Sequence, residues 1–204
     1  MLALPLSQHS DDKHHMSLTK KQQLLDAALN LFIQQGIQAT ATAKIAKAAG
    51  VANGTLFHHF ASKQALVEAL HLNIKEEMAQ AMTPPDPNLP LREQMIHLWQ
   101  AAIRWGLSHP QKFQFLRQLA NDPQYPLSQQ HAMLSLALPL LPQLIKQGQK
   151  AGILADWPQA LILNTCHSQF LSTVSLFTEQ PELAKDPTYQ QAAFDILWYG
   201  MAHR

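Results

Sequence analysis

Apolar residues recur every three or four positions along most of this chain, the period of an amphipathic helix. From Lys20 to Gln35, Leu24, Ala27, Ala28, Leu31 and Phe32 share one side, and Gly36 closes the run. Ile45, Ala46 and Ala49 mark a short second helix, Leu56 and Phe60 a third. Ser62 is a candidate cap for a fourth, with Ala65, Leu66, Ala69 and Leu70 on its apolar face. The run Thr83-Pro-Pro-Asp-Pro-Asn-Leu-Pro90 then breaks any helix. Beyond it, Leu91, Met95, Leu98, Trp99, Ala102 and Gly106 line one side of a helix, and His109-Pro110 opens another through Phe113, Leu116 and Leu119. A helix from about Leu127 to Lys150 must kink or break, because it holds Pro139 and Pro142. Asp156 with Pro158, and Asp186 with Pro187, are start signals for two last helices. No segment alternates as a strand does. The pattern predicts an all-α fold of about nine helices.

Residues 42–63 carry the most specific signal. Thr42 is placed to cap a helix, and Gly50 to end it in the left-handed conformation. Val51 follows as a plug for the corner, and Leu56 and Phe60, four apart, turn the next helix inward. Asn53, Thr55 and His58 are left facing outward, and Gly54 allows close backbone approach to a phosphate. Helix, glycine turn and short second helix make a helix-turn-helix, the unit that puts a helix in the DNA major groove.

These positions, with Ala27-Ala28, Leu31-Phe32, Gly36, Ile45-Ala46, Ala49-Gly50-Val51, Gly54-Thr55-Leu56, His59-Phe60 and Ser62-Lys63, resemble the amino-terminal domain of the TetR family of bacterial transcription regulators from about Lys20 to Leu70. Two positions depart from it: Ala52 stands where Ser is usual and Phe57 where Tyr is usual. The resemblance implies an amino-terminal three-helix DNA-binding domain at 18–64 and a helical ligand-binding and dimerisation domain at 65–204. Residues 1–17 are expected to be a disordered tail. It also implies a twofold dimer on a roughly palindromic operator.

Charge agrees with that division. Leu18 to Lys63 holds five lysines and one acid, Asp26, a net +4, which leaves −3 for the rest of the chain. Phosphate contact needs this local excess. Thr42, Lys44, Thr55, His58, His59 and Lys63 are the candidate phosphate contacts, Lys63 being favoured by its place at a helix amino terminus. Asn53 and Thr55 are the candidate base readers, Asn being suited to adenine. Gly54 and Phe57 complete the DNA-facing set.

Charged residues are 14% of the chain, against the ~25% usual in soluble domains, while 47% are hydrophobic. So few charges suggest further burial in an oligomer. Ala193, Phe194, Leu197, Trp198 and Met201 in the last helix are the candidate homodimer contacts. The family's ligand site implies a pocket between the middle helices, with Trp99, Ile103, Trp105, Phe113, Phe115, His131, Cys166 and Phe170 as candidate lining. For each of them, plain core packing is the competing explanation. Scarce charge candidates there point to a neutral or cationic hydrophobic ligand.

A single cysteine excludes an internal disulfide and fits a reducing cytoplasm. Trp157–Thr178 carries no full charge, but its Gln, Asn, His and Ser content argues against a membrane span. Glu93 and His97 lack the carboxylates from other helices that a di-metal site needs. No spacing suggests a catalytic triad. The expectation is a non-enzymatic regulator with no cofactor or metal, a repressor released by a small hydrophobic ligand. The alternatives are a DNA-binding regulator without ligand and a helical binding protein that has lost DNA.

Overall fold

The computed structural model describes residues 19–203, with the side chains of 127–131 excepted. The expected tail at 1–17 lies outside the described residues. Among the described residues ten α-helices follow one another: α1 Lys20–Gln35, α2 Thr42–Ala48, α3 Asn53–His59, α4 Lys63–Ala81, α5 Leu91–Ser108, α6 Pro110–Ala120, α7 Leu127–Ala137, α8 Leu140–Lys150, α9 Gln159–Glu179 and α10 Pro187–Met201. A short 3-10 turn, Leu183–Lys185, precedes the last.

The count exceeds nine because the 127–150 segment breaks at Pro139. Leu138 leaves helical geometry (φ −124°, ψ 63°) and closes α7 through its N–H to the Leu134 carbonyl, 2.8 Å away. Pro142 costs little, since it falls in the first turn of α8, where an N–H has no partner inside the helix. Asp186 caps α10 through the Thr188 N–H, and Pro187 takes its first position. Thr19 and Ser62 cap α1 and α4 in the same way.

Helices α1 to α3 form the amino-terminal head. Leu24, Ala28, Phe32, Ile45, Ala46 and Leu56 are buried where they meet. α4 leaves this head and packs on α1, α5 and α7, so it belongs to both halves. The carboxy-terminal body is built on α5 against α9, which approach closely at Gly106. A Cβ there would stand 2.9 Å from Val174 Cγ2. A bridge between Leu154 and Ala202 pins the end of the chain to the α8–α9 connection.

Head and body are tied at several points; Gln114 and Gln118 of α6 donate to the Ile33 carbonyl of α1 at 3.3 and 3.4 Å. Phe32 of α1 stacks on Phe115 of α6 at 6.1 Å. The loop after α1 meets the loop after α6, where Gln38 donates to Asp122 at 2.8 Å.

Candidate functional site

The corner of the helix-turn-helix is set by backbone geometry. Gly50 has φ 68°, a conformation other residues adopt only with strain, and it turns the chain so that the Val51 N–H reaches the Ala46 carbonyl at 3.0 Å. Ile45, Ala46, Leu56 and Phe60 are buried beneath it. Thr40, almost fully buried, holds the approach to α2 by donating to the Gly36 carbonyl at 2.7 Å. No periodicity points to it; its signal is a hydroxyl four residues after a helix-ending glycine.

The outward face of α3 consists of Asn53, Gly54, Phe57 and His58, all exposed, with Thr55 half-buried and His59 exposed beside them. Phe57 leaves 45% of its surface open. The His58 and His59 rings meet edge-on at 5.4 Å. α3 begins at Asn53 with Ala52 at the cap position, and no side chain takes up its first N–H groups. The Thr55 N–H is taken by the Ala52 carbonyl at 2.9 Å; the N–H groups ahead of it and the positive end of the helix present donors to an anion.

Thr42 does not cap α2. It occupies the first helical position, Ala41 is the cap residue, and no side chain bonds there. The reason is one residue of register: the extended backbone required of a cap falls on Ala41. Lys44 is exposed and donates to Gln35 at 3.1 Å. Lys63 opens α4 and donates to the Gln38 carbonyl at 2.9 Å. Partial burial lowers its pKa, and nearby Asp122 opposes that shift.

The body holds a partly open cavity of about 200 Å³ between α4, α5, α7, α8, α9 and α10. Of the expected lining residues, Trp99, Cys166 and Phe170 face it. Ile103, Trp105, Phe113 and Phe115 are core instead: Trp105 stacks on His109, Phe113 meets the edge of Phe170, and Phe115 serves the head contact. The side chain of His131 lies outside the described residues. Much of the lining comes from Met78, Met82, Met95, Leu98, Leu134 and the 137–141 break, which single-helix patterns do not reveal.

One lining residue bears on the expected ligand chemistry. Lys75 is 1% exposed and faces this mainly apolar space, which buried His167 also lines. Burial pushes its pKa down to about 8, so its amine is still mostly charged at neutral pH and would repel a cationic ligand. One turn earlier, burial and the Lys75 charge push His71 down to about 3. Burial pushes the Cys166 thiol up to about 12, keeping it protonated. The sequence holds the clue, since Lys75 shares the stripe of Val67, His71, Ile74 and Met78.

The last helix presents a different face from the expected one. Phe194, Leu197, Trp198 and Met201 are buried in the chain's own core, and Ala193 is partly covered. Their packing surface is already used within the subunit. Tyr189, Ala192, Ile196 and Tyr199 are exposed instead, Ile196 and Tyr199 each to 69%. On α9, Leu161, Thr165, Ser168, Ser172 and Leu176 form a parallel exposed stripe.

Comparison with known proteins agrees with this architecture. The family profile "Bacterial regulatory proteins, tetR family" matches residues 24–70, the helix-turn-helix and its flanks. A crystal structure from Shewanella sp. PV-4, assigned to the tetR family of transcription regulators, is 38% identical. It superposes with a TM-score of 0.86 over 92% of this chain and 100% of that one. The chain belongs to the TetR family of bacterial regulatory proteins. TetR-family regulators bind DNA through the helix-turn-helix, which residues 24–70 carry here. The HTH-type transcriptional regulator AcrR of Shigella flexneri is 43% identical over 89 residues, so the chain spans about two-fifths (41%) of that curated relative's length. A TetR-family structure from Marinobacter aquaeolei VT8, 22% identical with a TM-score of 0.74, shares the fold.

Among the described residues no helix is long and apolar enough to cross a membrane. No group of three or more His, Cys, Asp or Glu there is placed to hold a metal ion.

Proposed function

We propose that this chain is a homodimeric repressor, released from a palindromic operator when a small ligand fills the cavity of each body. The cavity carries the reading: it is mainly apolar and bounded by α4, whose cap Ser62 and first residue Lys63 lie at the head. A ligand acts here only by binding the DNA-incompetent arrangement more tightly than the competent one. The division into a head at 18–64 and a body at 65–204 belongs to the same proposal.

Dimerisation is assigned to the exposed stripes of α9 and α10. Leu161 and Leu176 on one, and Tyr189, Ile196 and Tyr199 on the other, supply the apolar anchors. Neither stripe contains a charged residue. Ile196 and Tyr199 stay 69% exposed in the lone subunit, and a partner would cover them. Asn53, Phe57 and His58 then read or cover bases, while Lys44, Lys63 and the open amino end of α3 meet phosphates. Thr42, Gly54, Thr55 and His59 complete the contact set.

Incubating the full chain with a random duplex library at moderate salt, then sequencing the retained DNA, tests the core of this reading. Two inverted half-sites are expected. Retention without any sequence enrichment by the folded protein would overturn it.

A further inference from the structure

Within the cavity, Lys75 is the sole Lys, Arg, Asp or Glu among the described lining residues. Its Nζ lies over the Phe170 ring, 5.8 Å from the centroid. Of the carboxylates on α4, α5 and α10, Glu77 pairs with Lys112 of α6 and Asp195 with Arg92 of α5, while Glu76 and Glu93 are exposed. The sequence of α7 and α8 contains no Asp or Glu, and α9 has none before Glu179 at its end. A buried ammonium without a counter-ion is held at a cost, because the ring face replaces only part of its lost hydration. An anion entering the cavity would meet a charge already stripped of water.

The remaining walls set the other half of the ligand. Met78, Met95, Leu98, Trp99, Leu134 and Phe170 offer aliphatic and aromatic surface, with His167 the other polar side chain. At about 200 Å³ the space is smaller than the roughly 300–1,000 Å³ usual for ligand sites. It suits a compact molecule rather than one bearing a nucleotide or a sugar chain.

We propose that the effector is a short amphipathic carboxylate, its hydrocarbon body in the apolar space and its carboxylate against the Lys75 ammonium. This rests on reading the cavity as the effector site. Lys75 supplies selectivity: it favours the acid over the matching alcohol and disfavours an amine.

The test uses the full chain without DNA at neutral pH. Binding of hexanoate, octanoate and decanoate is measured by calorimetry beside the primary alcohols of equal length. At least one acid is expected to bind ten or more times tighter than its alcohol. Lys75→Met should remove that preference while leaving alcohol binding intact or improved. Lys75→Gln, which keeps a polar end without charge, should do the same, and serves if the methionine variant fails to fold. Equal binding of acids and alcohols by the unaltered protein, binding by none of the six, or an acid preference that survives both substitutions would overturn the proposal. Operator release is read separately. Lys75-dependent acid binding that leaves operator occupancy unchanged would keep the site and sink the ligand-released repressor.

Discussion

Gln38 donates to Asp122 across 84 residues of sequence, at 2.8 Å, and the Gln38 carbonyl accepts from Lys63 on the other side. One exposed glutamine thus joins the α1–α2 loop of the head, the loop after α6 in the body, and the first turn of α4. A polar contact in water stabilises little, so Asp122→Ala should change global stability by less than about 1 kcal/mol. Hydrogen exchange at residues 36–40 should nonetheless quicken. Unaltered exchange there would show that the bond does not restrain the head.

Lys63 uses one of three ammonium donors on Gln38, which leaves two for a phosphate. Lys63→Ala should therefore weaken binding to all duplexes alike and lower the salt dependence by about 1 per subunit. A slope equal to that of the unaltered protein would remove Lys63 from the phosphate contacts.

On α3 the predictions separate by chemistry. Asn53→Ala should relax base preference at one symmetric pair of operator positions, read by repeating the library selection. Phe57→Tyr adds a hydroxyl at a ring already 45% exposed, so it should tighten binding to every duplex without changing the motif. A changed motif would mean that the ring reads a base edge.

The two faces of α10 give opposite phenotypes. Ile196→Glu should leave the subunit folded and shift sedimentation toward monomer. Phe194→Ala, at a site 1% exposed, should instead cost about 3–5 kcal/mol of folding stability. A dimer that survives Ile196→Glu would move the interface off this stripe.

Stability should depend on pH in two windows. His71 stays neutral in the fold down to about pH 3, whereas the unfolded chain protonates it near 6.5. The unfolded state binds more protons between these values, so stability falls as pH falls, by up to about 1.4 kcal/mol per unit. Lys75 loses its proton in the fold at about 8 but near 10.5 when unfolded. The unfolded state again holds more protons, so stability rises with pH from about 8 to 9; above that the Cys166 thiol, kept protonated in the fold to about 12, opposes the rise. Urea unfolding across pH should show both slopes; Lys75→Met should abolish the alkaline one and, by removing a charge that lowers His71, also lessen the acid one.

Much of this was legible in the chain. Gly50, Val51, Leu56 and Phe60 encode a corner that local geometry fully determines, and Asp186-Pro187 states a helix start outright. What was not legible depends on how helices rotate about their own axes. The apolar run Ala193, Phe194, Leu197, Trp198 and Met201 suits an outer or an inner face equally by spacing, and only packing against α5 and α9 turns it inward. The same ambiguity hid Lys75, whose charge suggests the surface while its register puts it inside.

α4 runs from Lys63 to Ala81 without a glycine or proline, the residues at which helices most often bend. Lys63 and Lys75 are therefore about 18 Å apart on a single stiff rod. A rod without a joint is a lever: a tilt of about 5° pivoting near Lys75 would carry the Lys63 end through about 1.5 Å, the scale of helix shifts that separate functional states. Across a pair of half-sites two such displacements add. The head need not change shape to lose its grip, because a misfit in spacing between two unaltered heads is enough.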